Sequence, residues 1–166
     1  MPIPHTITAN LLQSTLQGDL FYNRAEHSFD FEPVSRSGVR RRMGDLGPTS
    51  VLIGTLQIEI GVETGTLLYV WGYHPQPAWK HARLSSPTAQ PGMVSISLEE
   101  APEPGVSIGL VEINEWATAY DPNNGWICIG DPAPSESAQW VEFATNTIAA
   151  IGDSQLRALW LRPTIK

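Results

Sequence analysis

Gly105-Val106-Ser107-Ile108-Gly109 has the G-x-S-x-G spacing of a nucleophile elbow. That motif lifts a serine hydroxyl on a strained strand-to-helix turn, and an acid and then a histidine follow later in the chain. Here all four histidines, His5, His27, His74 and His81, precede Ser107, and the Pro-rich stretch Ala101 to Gly105 stands where the incoming strand belongs. Acyl transfer lacks its base, so no catalytic residue is assigned. Paired carboxylates are the next candidates for chemistry. Glu99 and Glu100 are adjacent, and successive residues of a strand point to opposite faces, so they cannot oppose each other across a glycosidic bond. Glu112 and Glu115 straddle a turn and read as a solvated rim. His74 and His81 lie in a Pro-rich loop, Cys128 is the one cysteine, and no HExxH, CxxC or EF-hand spacing occurs. Neither a metal nor a cofactor is expected on those grounds.

Charge is more informative than any motif. The 166 residues carry a net charge of -7. Residues 1–83 balance, with seven basic and seven acidic groups. Residues 84–156 hold no lysine or arginine but ten carboxylates: Glu99, Glu100, Glu103, Glu112, Glu115, Asp121, Asp131, Glu136, Glu142 and Asp153. A field of one sign selects partners of the other. This predicts an acidic surface formed by Glu99, Glu100, Glu103, Glu112, Glu115 and Asp121 that binds a basic protein. The same balance disfavours nucleic acid, whose phosphates need clustered Lys and Arg. The one basic cluster, Arg36 with Arg40-Arg41-Arg42, is flanked by Ser and Gly and reads as a solvated loop.

The elements that must position these groups are mostly strands. Gly and Pro, 14 each, punctuate short apolar runs. Residues 6–16 read equally as helix or sheet. Residues 19–23 and 28–32 read as strands, and 33–49 as a long polar connection. Val51 to Val62 reads as one strand, turned at Glu63-Thr64-Gly65 into a second at Thr66 to Tyr73, which has apolar residues on both faces and so belongs in the middle of a sheet. Residues 74–92 read as an ordered loop with Trp79 as its anchor or as an exposed hot-spot residue, and Trp79 is placed with the partner-binding residues. Strands are expected at 93–99, 106–113, 116–120, 126–130 and 156–161, with an Asn-Gly turn at 121–125. Residues 139–151 read as strand in preference to helix. Gly18 to Tyr22 and Gly65 to Tyr69 echo each other faintly.

The fold expected is therefore one mainly β domain over residues 1–166, an antiparallel sandwich or partly open barrel with at most two short helices. A lone cysteine rules out an internal disulfide. The N-terminus lacks the charged and apolar regions of a secretory signal, and the apolar runs are far short of a membrane span, so a cytoplasmic address is expected. Small, acidic and without catalytic motifs, the chain is similar in type to bacterial immunity proteins. That likeness implies a non-enzymatic inhibitor docking on a basic partner, such as a nucleic-acid- or nucleotide-directed toxin. Two other expectations stand beside it. One is a small hydrolase or carbohydrate-active module with a Trp-lined cleft and carboxylates, and the other is a structural or assembly subunit.

Overall fold

The structure, a computed structural model, describes residues 5–110 and 116–166. In chain order its strands are β1 (His5–Asn10), β2 (Gly18–Asn23), β3 (Ser28–Pro33), β4 (Pro48–Ile53), β5 (Leu56–Gly61), β6 (Leu67–Tyr73), β7 (Lys80–His81), β8 (Gln90–Pro91), β9 (Met93–Leu98), β10 (Ile108–Gly109), β11 (Thr118–Tyr120), β12 (Ile127–Gly130), β13 (Gln139–Ala144), β14 (Thr147–Gly152), β15 (Gln155–Leu161) and β16 (Thr164–Ile165). One helix, α1 (Arg36–Met43), joins β3 to β4, and a 3-10 turn covers Gln76–Ala78. Strands hold 51% of the chain against 7% helical, so the architecture is mainly β, a sandwich of packed sheets.

The sheets repeat one topology. The first runs β10-β4-β5-β6-β3-β2-β16 and the second β8-β13-β14-β15-β12-β11-β7. Each has five antiparallel strands, with a two-residue parallel strand added at either edge. Within each copy the first strand pairs with the second, the second with the fifth, the fifth with the fourth, and the fourth with the third. Registers agree residue by residue except in the third-to-fourth-strand hairpin, where β13–β14 slips after Glu142 and β4–β5 does not. Tyr22 faces Phe29 as Tyr120 faces Ile127. Ile58 faces Val70 as Ala149 faces Leu159, and the register then slips once in both copies before Ile60–Leu67 and Ile151–Leu156. The tails are exchanged. After the first copy, β7 runs parallel to β11 of the second, and after the second copy, β16 runs parallel to β2 of the first, at matching positions. β1 and β9 pair antiparallel with each other between the copies. The main core draws on both sheets and on this ribbon, including Ile7, Tyr22, Ile58, Val70, Val94, Ile127, Phe143 and Leu159. Burying such side chains is the main stabilising term, at roughly 25 cal/mol per Å² of apolar surface.

Several expectations change in detail. The run Val51 to Val62 is two strands reversed at Gly54-Thr55, and 139–151 is likewise a hairpin turned at Thr145-Asn146. β14 is buried on both faces and β4 nearly so, while β5 and β13 alternate, and the closely spaced apolar residues across each reversal conceal a tight turn. β6 does lie fourth of the seven strands in its sheet. The echo of residues 18–22 with 65–69 links strands that are not equivalent, because β2 matches β11 and β6 matches β15. The arginine cluster is helical rather than a loop. Ser35 caps α1 by accepting the Gly38 N–H at 3.2 Å, and Arg40, Arg41 and Arg42 occupy the last turn, where positive charge suits the helix dipole. Gly44, at φ 83°, ends the helix, and its N–H donates to the Arg40 carbonyl oxygen at 3.1 Å.

Candidate functional site

The β1–β9 ribbon has two ends, and the second-to-third-strand connections at each are equivalent. At one end His5 pairs with Leu98. The β14–β15 turn closes on it, with the Ile7 N–H donating to the Ser154 carbonyl at 2.8 Å and Gln155 Nε2 to the His5 carbonyl at 2.7 Å. Against that turn lies the connection between β12 and β13, where Asp131, Pro134 and Ser135 meet Gly152, Asp153 and Arg157 around a small cavity of about 180 Å³. Glu99 and Glu100 follow directly from β9. Asp131 and Asp153, from two separate loops, thus face one cavity, with Glu136 further along the β12–β13 connection, whereas Glu99 and Glu100 leave β9 where Leu98 and Pro102 line another cavity with Glu63, Thr64 and Gly65. All five are exposed. Among the described residues the one ion pair at this end is Arg157 with Asp153, at 3.4 Å and solvent-exposed, a type worth little. His5 lies beneath, 7% exposed and with neither ring nitrogen partnered among the described residues, and burial holds its pKa below the usual imidazole value.

At the other end Asn10 pairs with Met93. Here the connection bearing α1 takes the equivalent place, and the β5–β6 turn runs along β9 from Met93 toward Leu98, with the Ile96 N–H donating to the Gly65 carbonyl at 2.8 Å. They enclose a cleft of about 680 Å³ lined by Asn10, Gln13, Ser14, Gln17, Ser35, Gly38, Arg41, Arg42, Thr64 and Thr66, with Leu16, Val34 and Met93. Arg42 Nη2 donates to the Ser14 carbonyl at 2.7 Å and to its hydroxyl at 3.2 Å. Its Nη1 is shut off from solvent and has no partner among the described residues. Burial first, and then the neighbouring Arg41, push the Arg42 pKa down, as expected for a cation without a counter-charge.

The expected site residues fare unequally. Glu99, Glu100 and Glu103 are exposed, as required of a docking surface. Glu112 and Glu115 lie outside the described residues. Asp121 is corrected: it is 5% exposed, because its carboxylate organises the Asn-Gly turn by accepting from the Leu84 N–H at 2.9 Å and the Asn123 N–H at 2.9 Å. The Leu84 bond is the first cause of its lowered pKa. Trp79 is corrected too. It is 8% exposed and works as the core plug, its ring 4.8 Å from that of Tyr22, 5.7 Å from Tyr120 and 5.8 Å from His74. It sits among the first-strand tyrosines of both copies, which leaves no indole face for a partner. Sequence reading omitted Asp131, Glu136 and Asp153 from the site, although each stands in the same lysine- and arginine-free stretch.

Other chemistry finds no assembly. Ser107 lies in an exposed segment leading into the two-residue β10, without a helix after it among the described residues. A cleft of about 480 Å³ holds Trp140 and Trp160, but Arg83 is the one charged residue lining it, so it lacks the carboxylate pair glycoside hydrolysis needs. Cys128 is 1% exposed, and burial raises its thiol pKa to about 12, which makes it inert. No three His, Cys, Asp or Glu side chains converge as metal ligands among the described residues. No helix of the described residues is long and apolar enough to cross a membrane. No protein-family model matches this chain, and no curated protein is significantly similar to it.

Proposed function

We propose that this protein is a non-enzymatic inhibitor of the immunity type, whose acidic end docks on a basic partner protein. The partner class that fits is a nucleic-acid- or nucleotide-directed toxin, because an enzyme acting on anionic substrates presents a cationic site that an acidic surface can occupy. The observation that carries the reading is that Glu99, Glu100, Asp131, Glu136 and Asp153 all stand exposed in a stretch without lysine or arginine, Asp131 and Asp153 facing one cavity, with Arg157 as the one cation paired there among the described residues. Such a rim acts mainly on encounter, by steering, while packed contacts set residence time.

The experiment is association kinetics with the basic protein that co-purifies at low ionic strength. The association rate should fall about tenfold or more between roughly 0.02 M and 0.3 M salt, as steering is screened. Reversing Glu99, Glu100 and Asp131 to Lys together should slow association far more than it speeds dissociation. An association rate indifferent to salt, or to the triple reversal, would sink the proposal even if the two proteins bind.

A further inference from the structure

We propose that the cleft between α1 and the segment 10–17 binds a small molecule through a dianionic phosphate group. The proposal concerns the opposite end of the ribbon and does not rest on the inhibitor reading. Its first support is charge. Arg41 and Arg42 line the cleft and no carboxylate does, although Glu63 stands at the helix end. Glu63 is turned away to accept the Asp45 N–H at 2.7 Å. Two fixed positive charges match a phosphate monoester, which carries about -1.5 to -2 at neutral pH, better than a single carboxylate. Guanidinium forks suit such oxygens, and pinning one of them beforehand reduces the entropy lost on binding. Arg42 is pinned in this way by Ser14, while Arg41 is exposed and free to close on a ligand.

The second support is shape. The volume lies inside the range of small-molecule sites, roughly 300–1,000 Å³, whereas the equivalent cavity at the acidic end is about 180 Å³. Hydroxyls of Ser14, Ser35, Thr64 and Thr66 and the amides of Asn10, Gln13 and Gln17 complete the polar lining. The third is a glycine that folding does not require. Gly38 is helical, and a methyl group there would meet nothing closer than 3.7 Å. Glycine inside a helix costs about 1 kcal/mol relative to alanine, so neither packing nor backbone accounts for it. Its missing side chain keeps the cleft open.

The test is calorimetric titration of the whole chain with inorganic phosphate and phenyl phosphate, and with malonate as the carboxylate arm. Both phosphates should bind, and malonate more weakly. Arg41→Gln should weaken phosphate binding about tenfold or more, since a charge-assisted contact is lost. Arg40→Gln, which removes the same charge from the same helix outside the cleft, should leave binding within about twofold. Arg42→Gln loosens the Ser14 anchor and can cost folding, so Gly38→Leu serves as the second variant. It keeps every charge, favours the helix and fills the cleft, and should abolish phenyl phosphate binding while the unfolding midpoint stays level or rises. No heat with either phosphate at about 10 mM, a concentration that reveals even millimolar affinity, would overturn the proposal. So would equal losses in Arg40→Gln and Arg41→Gln, or malonate binding as tightly as phosphate.

Discussion

The second-to-third-strand connection is built once from arginine and once from carboxylate. In the first copy of the five-stranded unit it is α1, with Arg36, Arg40, Arg41 and Arg42. In the second it is the Pro-rich segment holding Asp131 and Glu136. Both are placed by the same ladder, since register and slip agree in the two copies. The two turns meet the β1–β9 ribbon from opposite edges, the β14–β15 turn at Ile7 and the β5–β6 turn at its partner Ile96. A repeated scaffold thus offers two equivalent platforms, and the loops alone decide what each attracts.

The copies also differ in what covers their outer faces, which gives the largest expected effect. Trp71 and Trp160 occupy equivalent positions, opposite Gln57 and Ile148. Trp160 is 3% exposed, packed edge-on against Trp140 at 5.6 Å and Trp126 at 6.3 Å, with Leu84 of the crossing 82–91 segment in the same cluster. Trp71 is half-buried beside a polar neighbour. Trp160→Ala should cost about 3–5 kcal/mol, as core truncations of this size do, and Trp71→Ala under about 2 kcal/mol. Denaturant midpoints at constant slope measure both. Equal costs would mean that the covering segment adds nothing to the second copy.

Another difference lies where the fifth strand ends. The first copy runs on into His74, whose Nε2 lies 2.8 Å from the Thr118 hydroxyl and whose carbonyl accepts the Tyr22 hydroxyl at 2.8 Å. Burial lowers its pKa to about 4. The unfolded chain takes up a proton near pH 6.5 that the native state refuses until about 4. Its contribution is therefore complete above the unfolded value and lost as pH falls through that window, by at most about 3 kcal/mol. Urea unfolding from pH 7.5 to 4 should show wild type losing more stability than His74→Gln. Parallel pH profiles would remove His74 from the acid response.

What could be read from the sequence was local. The alternation of Met93 to Glu99 and the Asp121–Gly125 turn gave β9 and the β11–β12 hairpin, because each is fixed by neighbours in the chain. Reversals inside Val51–Val62 and residues 139–151 were illegible, since one strand of each hairpin is nearly continuously buried and two-residue turns, Gly54-Thr55 and Thr145-Asn146, barely break the apolar run. α1 left only Val39 and Met43 as an i, i+4 apolar pair, too short a stripe to outweigh Ser and Gly on either side. The duplication was hidden because its copies keep register rather than residues. Ile58 with Val70 becomes Ala149 with Leu159, a smaller pair, and Glu59 with Tyr69 becomes Ala150 with Ala158. As for the site, the run of carboxylates was visible, but the meeting of Asp131 with Asp153 depends on β12 pairing with β15 and on the Asp131 N–H donating to the Arg157 carbonyl, contacts no local pattern encodes.

The first hairpin turns of the copies offer a smaller contrast. Asn23 and Asp121 hold equivalent positions, and each accepts a turn N–H, from Glu26 at 3.2 Å and from Asn123 at 2.9 Å. Asp121 alone is buried, and it also holds the Leu84 N–H. Asp121→Ala should therefore cost about 1–3 kcal/mol by leaving a buried donor unmet, and Asn23→Ala about 0.5–1 kcal/mol for an exposed one. Thermal unfolding of the two variants ranks them. A reversed order would show that the 82–91 segment is held by its own packing and not by the Asp121 carboxylate.

The smallest effect separates scaffold from charge at the acidic end. The β14–β15 turn places Asp153 at φ 51° and Ser154 at φ 59°, where side-chain-bearing residues are strained. The first copy spans the same two strands with a longer turn that puts Gly65 at φ 68°. Ser154→Gly should relieve that strain and raise stability by about 0.5–1 kcal/mol, the gain reduced by the greater freedom of glycine in the unfolded chain. It changes no charge, and it leaves the Ser154 carbonyl in place to accept the Ile7 N–H. Binding of a basic partner should then keep its association rate and salt dependence while the unfolding midpoint rises. Asp153→Gly removes a carboxylate from the same turn and should slow association. If the two glycine variants alter association equally, turn geometry rather than charge governs docking at this end.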